Sequence, residues 1–401
     1  MKIRRQEPAL ALAVVVLLTL PCLQRPGAAR NREEAVVKGY QIEKAMVAVD
    51  QTGRPHIASD QGLNGRRIFY SYCSGSEWKT VELYPNGRPA GVTAEPRIAL
   101  GSGDTAWIGF HAASRENHRR ATVSFLRIDR LSSSPAIGPL TQTVQGTRTN
   151  LKTDAHGGIY VLWRMGTDLF YQVYDPEGKN PSAIRRLTNV KVTIPDDEMG
   201  MCSNSFDFDL GSDGVVHGVC TNILGLVYSN SEMEAQDKGV LMVARGHRVG
   251  CEGPYTVPVI QVDRAAPRVV YVLFAGVANK AYLIVKTESG WQSPMLLAAE
   301  GWKQAGRRAP PFLAAAPGGG AIAAWMDARS GQPKIRSRWI LKDGRLGPEM
   351  EVASGCHPRF AIDAGGLLHF VYTRGGDLYY QVTEAPPRPS ERAPATQVSR
   401  P

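Results

Sequence analysis

Seven segments of this chain repeat one theme, and that repetition limits the fold more than any other feature. Each has an extended stretch, a turn rich in Gly or Asp, and a hydrophobic stretch. They read VAVDQTGRPHIAS, RIALGSGDTAWIGF, NLKTDAHGGIYVLW, FDFDLGSDGVVHGVC, VIQVDRAAPRVVYVLF, FLAAAPGGGAIAAW and RFAIDAGGLLHFVY. Marked at Asp50, Leu100, Asp154, Leu210, Asp263, Ala316 and Asp363, the turns recur every 47–56 residues. Self-similarity at such a period identifies units that each need a neighbour to bury their apolar face. The stretches alternate with period two and favour Val, Ile, Tyr, Phe and Trp, which marks them as strands. The 41 glycines and 27 prolines suit a chain with many turns.

A third stretch follows each pair: IFYSY at 68–72, TVSFL at 122–126, LFYQV at 169–173, LVYSN at 226–230, AYLIV at 281–285, IRSRW at 335–339 and LYYQV at 379–383. A fourth is visible as EWKTVEL at 77–83, AIRRLT at 183–188, GWQSPMLL at 290–297 and GPEMEVA at 347–353. Four antiparallel strands repeated seven times predict an all-β fold, a seven-bladed β-propeller. Radial closure leaves only short outer edges exposed. The seventh copy stops after three strands, while AVVKGYQI at 35–42 precedes the first copy without a partner. That N-terminal strand is expected to complete the last blade and close the ring. Residues 30–384 then form a single domain. The Pro-rich, polar residues 385–401 read as a disordered tail.

The N-terminus has a different composition. MKIRR stands ahead of a twelve-residue stretch, Ala9–Leu20, that is apolar except for Thr19, and PCLQRPGAA follows. This is the pattern of a secretory signal peptide over 1–29, with cleavage expected near Ala29. The run is short for a membrane span, so no stable span is expected after cleavage. A secreted, periplasmic or cell-surface location follows. The net charge of +10 is scattered without a Lys/Arg block, so nucleic acid is not an expected partner. The charge suits an anionic glycan or an extracellular protein. Five cysteines lie beyond the leader at spacings unlike those of metal sites, so neither metal nor cofactor is expected. Cys202 and Cys251, in consecutive inter-blade connections, are candidates for a disulfide.

The repeat also sorts the chemistry-bearing residues. His56, His217 and His369 occupy the same place in the second strand as Trp107, Tyr160 and Tyr271, which marks them as framework rings. The loops joining second to third strands, and the inter-blade connections, share one face, where ligands commonly meet a rigid scaffold. HAASRENHRR at 111–120 is the longest of the first set. From it come His111, His118 and Arg119 as catalytic candidates, joined by His247 from an inter-blade connection. Arg164, Asp327, Arg329, His357 and Arg374 are ligand-binding candidates, because arginine's planar fork suits carboxylates. Local pairing of Arg164 with Asp168, and of Arg374 with Asp377, is the competing structural reading.

The proline, inner strand, Asp-Gly turn, aromatic strand and Tyr-bearing third strand resemble secreted propellers of the BNR or sialidase-like superfamily. AAWMDARSGQPKIRSRWILKDGRLG is especially similar to blades of exported bacterial propellers. The resemblance, over 35–384, implies the fold and a carbohydrate-related role. It is closest in shape to seven-bladed polysaccharide lyases and propeller lectins. No intact Asp-box occurs, LGSDGVVHG is only an echo of one, and PRIAL at 96–100 is not the sialidase Arg-Ile-Pro motif. Two functions follow: a binding propeller, or a glycan-active enzyme with a lyase ahead of a glycoside hydrolase. Lyase chemistry needs a cation on the uronate carboxylate and a His or Tyr for proton transfer. Hydrolysis needs two carboxylates flanking the bond, whereas Glu116 and Asp327 come from non-adjacent blades.

Overall fold

A computed structural model describes residues 33–386 and 388, apart from 62–66, 75–76, 84–91, 114–120, 132–134, 146, 166–167, 189–205, 223–224, 235–239, 242–257, 276–279, 299–302, 305–306 and 309–310. Residues 1–32 and 389–401, and with them the expected leader and most of the expected tail, lie outside the described residues. Seven antiparallel sheets follow one another along the chain. Blade 1 covers 42–82, blade 2 92–145, blade 3 147–186, blade 4 206–241, blade 5 259–298 and blade 6 312–354. A two-stranded hairpin at 303–308 stands apart from the blades. The first strands of successive blades neighbour one another in order, and Ile42–Val49 lies against Cys356–Ile362. The ring is therefore closed, as a seven-bladed β-propeller.

Blade 7 takes three strands from the end of the chain and one from its beginning. Cys356–Ile362, Leu367–Arg374 and Asp377–Glu384 run in sequence, and Glu33–Val37 supplies the outer edge. Its register pairs Glu33 with Gln381, Glu34 with Tyr380 and Ala35 with Tyr379. The closing strand is thus Glu33–Val37 rather than 35–42. Gly39 and Gln41, at φ 76° and 51°, turn the chain before Ile42 enters blade 1. Two further sequence expectations shift. Ala136–Gln145, absent from the fourth stretches visible in the sequence, is the outer strand of blade 2. Gly138 and Pro139 hide it, although proline is tolerated on an edge. The turn backbone bonds also align Gly101 and Gly211, not Leu100 and Leu210, with Asp50 and Asp363.

Second strands lie between two strands of their own sheet and between two blades. Ala321–Asp327 is accordingly buried along its whole length, which explains its continuous apolar run. The outer strand Glu77–Glu82 is mostly exposed and polar. Rings from the second strands wedge the blades apart evenly. Trp325 packs with blade 5, Tyr372 with blade 6 and Phe110 with blade 1, all fully buried. Truncating any of them to Ala removes about 3–5 kcal/mol by the usual cost of a large core cavity.

Inner strands carry an unpaired edge facing the ring axis, and in blades 5 and 6 side chains of the preceding blade take up amides of that edge and of the turn after it. The Ile260 and Val262 amides donate to Asp207 and Asp209 at 3.1 and 2.9 Å. The Gly320 amide donates to Asp263 at 2.6 Å, and the Ala315 amide to Gln261 at 3.4 Å. Buried donors left without acceptors cost about 1–3 kcal/mol each, so these bonds stitch blade to blade. Arg264 and Lys152 flank Asp209, each at 3.3 Å. Burial pushes the Asp209 carboxyl up, but those two cations and the Val262 amide outweigh it and hold it low.

The framework histidines are buried, as their place in the repeat implies. Asp50 accepts the Thr52 and Arg54 amides at 2.8 and 2.9 Å and faces His56 Nε2 at 3.4 Å. His56 Nδ1 meets the Tyr70 hydroxyl at 2.8 Å. Blade 7 repeats this arrangement: His369 Nε2 is 3.2 Å from Asp363 and Nδ1 is 2.7 Å from the Tyr380 hydroxyl. In blade 5 the Tyr271 hydroxyl donates to Asp263 at 2.7 Å. Beyond blade 7, Ala385 packs into the cluster between blades 6 and 7, and Pro386 is buried. The Arg388 guanidinium stands 5.6 Å from the centre of the Trp339 ring.

Candidate functional site

The second strands of blades 6 and 7 end at Asp327 and Arg374, each just before the turn into its third strand. Arg374 closes Leu367–Arg374, and Gly375 and Gly376, at φ 65° and 94°, turn the chain into Asp377–Glu384. The Arg374 fork grips Glu33 through both nitrogens, one of them at 3.1 Å. The Tyr372 hydroxyl donates to the same carboxylate. Beneath the guanidinium, 4.2 Å away, lies the Tyr379 ring. This is an arrangement of fixed planar polar groups beside an aromatic face. Burial pushes the Glu33 carboxyl up, but the hydrogen bonds from Arg374 and Tyr372 prevail and hold it below the ordinary range. Burial, with the Glu33 charge, pushes the Tyr372 hydroxyl far up.

The connection from blade 6 meets this cluster from the inner side. Gly355 lies flat on Tyr372, and a Cβ there would stand 2.6 Å from the ring. His357 adopts φ 54°, a conformation disfavoured for residues with side chains. Its Nδ1 is 2.9 Å from the Thr373 hydroxyl, which anchors it. On blade 6, Asp327 is gripped by Arg329, Nε to Oδ1 at 2.9 Å and Nη2 to Oδ2 at 2.6 Å. Those bonds hold the Asp327 carboxyl below its ordinary value. The Arg329 side chain is more than half exposed and Arg374 nearly so, at 55% and 42%.

The remaining sequence candidates are distributed differently. Arg164 ends up buried, at 4% exposure, where its charge opposes the burial that pushes the Cys220 thiol up to about 11. It therefore lies in the packing between blades 3 and 4. Asp168 is gripped by Arg186 of its own blade's outer strand. Asp377 accepts the Gly39 amide at 2.8 Å, while Arg374 takes Glu33. His111 sits in the second strand of blade 2, opposite Thr93 and Val123, and its side chain is outside the described set. His118, Arg119, His247, Cys202 and Cys251 lie outside the described residues. Of the named candidates, Asp327 and Arg329 lie at and just past the end of blade 6's second strand, and His357 and Arg374 lie at the corresponding end of blade 7. Among the described residues no group of three or more His, Cys, Asp or Glu could hold a metal ion.

Sequence reasoning missed Glu33, Tyr372 and Tyr379 as members of this cluster. The available signal was the Glu33–Glu34 pair, just ahead of the AVVKGYQI stretch expected to close the blade that carries Arg374.

No family model matches this chain, and no curated protein does. Solved structures share its fold at low identity. A lectin, BP39L from Burkholderia pseudomallei, aligns with a TM-score of 0.54 and 11% identity, over 86% of this chain and 98% of the lectin. A PL25 ulvan lyase bound to -[GlcA(1-4)Rha3S]- aligns with a TM-score of 0.54 and 10% identity, over 89% of this chain and 94% of the lyase. The NanB sialidase from Streptococcus pneumoniae aligns at 0.47 and 10%, over 87% and 69%. The likenesses to the lectin and the lyase establish the fold and assign no residue.

Proposed function

We propose that this protein is an exported glycan-binding propeller whose loop-rich face takes the ligand at the rim of blades 6 and 7. The observation that carries this reading is the Arg374–Glu33–Tyr372 cluster over Tyr379. Sugars offer hydroxyls around the ring edge and, in acidic sugars, carboxylate or sulfate groups. The fixed, partly exposed guanidiniums of Arg374 and Arg329 match such acceptors. The exposed Arg329 and the positive net charge favour sugars bearing carboxylate or sulfate. A lectin and a polysaccharide lyase of the same fold support the ligand class by analogy alone.

Binding is favoured over lyase chemistry by the state of the candidate groups. Tyr372 already donates to Glu33, and its raised hydroxyl is a poor base near neutral pH. The test is a glycan array spanning neutral, uronate-containing and sulfated sugars, with an assay for unsaturated uronate products on the same polymers. We expect retention of an anionic class, at least about ten-fold weaker in Arg374→Ala than in the parent, as loss of a charge-assisted bond predicts. No retained glycan would sink the reading, and new unsaturated ends would replace it with the lyase. Export is checked by N-terminal sequencing of protein from outside the cell, with a start just after Ala29 expected.

A further inference from the structure

We infer that blade 4 is an acid-sensitive joint, in which protonation of His217 loosens blade 4 against blade 5 before the rest of the ring yields. The inference comes from comparing one position across the blades. Six residues after the turn bond donors at Asp50, Gly101, Asp154, Gly211, Ala316 and Asp363 stand His56, Trp107, Tyr160, His217, Ile322 and His369. Where the turn residue is Asp, the ring is His or Tyr and the two are bonded, as in Asp50–His56, Asp154–Tyr160 and Asp363–His369. Blade 5, with a longer turn, bonds Asp263 to Tyr271. Where the turn residue is small, blade 2 has an indole and blade 6 an aliphatic chain. Blade 4 alone combines a small turn residue, Gly211, with a titratable ring.

The consequence is visible at His217. The ring is 3% exposed, its Nδ1 is 2.7 Å from the Tyr228 hydroxyl, and its Nε2 has no hydrogen-bond partner. Asn230 donates to the same Tyr228 oxygen at 3.4 Å, which leaves the Tyr228 proton for Nδ1 and puts the imidazole proton on Nε2. His56 and His369 need the same tautomer to face their carboxylates. Blade 2 also buries an indole N–H without a partner, but an indole does not titrate. A second proton on His217 creates a buried cation with no carboxylate hydrogen-bonded to it, a costly state.

The groups around His217 come from every neighbouring element. Asp209 lies on the inner strand, Asp213 in the turn, Tyr228 on the third strand, and Lys286 on blade 5. Burial, followed by the Lys286 charge, pushes the imidazole down to about 4, with Asp213 and Asp209 opposing. A depressed histidine stabilises the fold above its ordinary value of 6.5, and that contribution is lost as pH falls toward 4. The contact in question is that of Tyr228, which meets the Trp291 ring edge-on at 4.9 Å and carries Lys286 5.9 Å over its face.

Amide hydrogen exchange of the full chain, near neutral pH and near pH 5 and corrected for intrinsic rates, tests the joint. We expect residues 206–241 and 259–291 to gain about ten-fold more exchange on acidification than blades 1 and 2. His217→Phe, which cannot titrate, should remove that excess, and Gly211→Asp, which copies blade 1, should reduce it. Gly211→Asp requires only the Asp213 carboxylate to move, because its Oδ1 is 2.2 Å from the new Cβ. An even gain over all seven blades, or an excess that persists in His217→Phe, overturns the inference. If the variants fail to fold, imidazole NMR of the unsubstituted protein decides. His217 must take its proton within about one pH unit of the opening of blade 4, and a wider separation overturns the inference.

Discussion

Asp50 shows how much work a single turn carboxylate performs. It holds two backbone amides, the Thr52 hydroxyl and the His56 ring. Burial pushes its carboxyl up, but the bonds from His56, Thr52 and the turn amides prevail and depress it strongly. Such a group contributes stability above its ordinary value of 3.8 and loses that contribution as pH falls below it. Asp50→Asn is therefore expected to cost about 1–3 kcal/mol at neutral pH, with the gap to the parent narrowing below pH 3.8. Denaturant titration at a series of pH values reads both. An equal gap at every pH would assign the loss to packing instead. At this scale the sequence is legible where a residue bonds within its own turn, as Asp50 and Asp363 do. Arg374 stands out as a rim cation for the same local reason. Its partner Glu33 is 341 residues away, and nothing near Arg374 points to it.

Among the elements, the outer edge of blade 7 carries the largest consequence. Deleting residues 33–37 removes a whole strand, including Val36 and Val37 from the cluster between blades 7 and 1. It also leaves Arg374 and Tyr372 without their acceptor. Thermal unfolding should drop by well over ten degrees, several kcal/mol for a domain of this size. An unchanged midpoint would mean that the ring closes without this strand. At the other end, a chain stopping at Glu384 should melt below one stopping at Arg388, because Ala385, Pro386 and Arg388 pack on blades 6 and 7. A chain stopping at Arg388 should melt with the full length. The strand count was readable because period-two alternation and turn residues are local signals. Ala136–Gln145 was not, since Gly138 and Pro139 break the alternation. The turn register slipped at Gly101 and Gly211 because both turns lack the Asp that marks their counterparts.

As a whole molecule, the propeller is a circle whose only covalent gap falls inside blade 7. Glu384 and Glu33 both lie at the same end of that blade, since Gln381 pairs with Glu33. A short linker joining them would make blade 7 a continuous four-stranded meander like its neighbours. New termini placed between Leu83 and Val92, where blade 1 passes to blade 2, would then move the gap to a blade boundary. This permutant should fold with about the stability of the chain stopping at Glu384, as judged by circular dichroism and thermal unfolding. Failure to fold would show that the order in which the strands emerge matters, and not only their final pairing. Inter-blade stitching by Asp207, Asp209, Gln261 and Asp263 is a property of this scale as well. Its partners are 53–57 residues apart, so it follows from closure and not from any short stretch of sequence.

Closure by Glu33–Val37 also has a consequence in time. The strand that finishes the ring is the first part of the domain to leave the ribosome, and the strand it pairs with is the last. Until Asp377–Glu384 arrives, an early segment with hydrogen-bonding groups along both edges has no partner and invites pairing with other chains. Folding must wait for contacts spanning nearly the whole domain, a topology that is intrinsically slow. Ribosome-bound chains ending before residue 377 should accordingly remain sensitive to protease, with protection appearing only once the last strand has emerged. The chain is therefore vulnerable for most of its synthesis, and a partner that shields its first strand during that interval would raise the yield of folded protein.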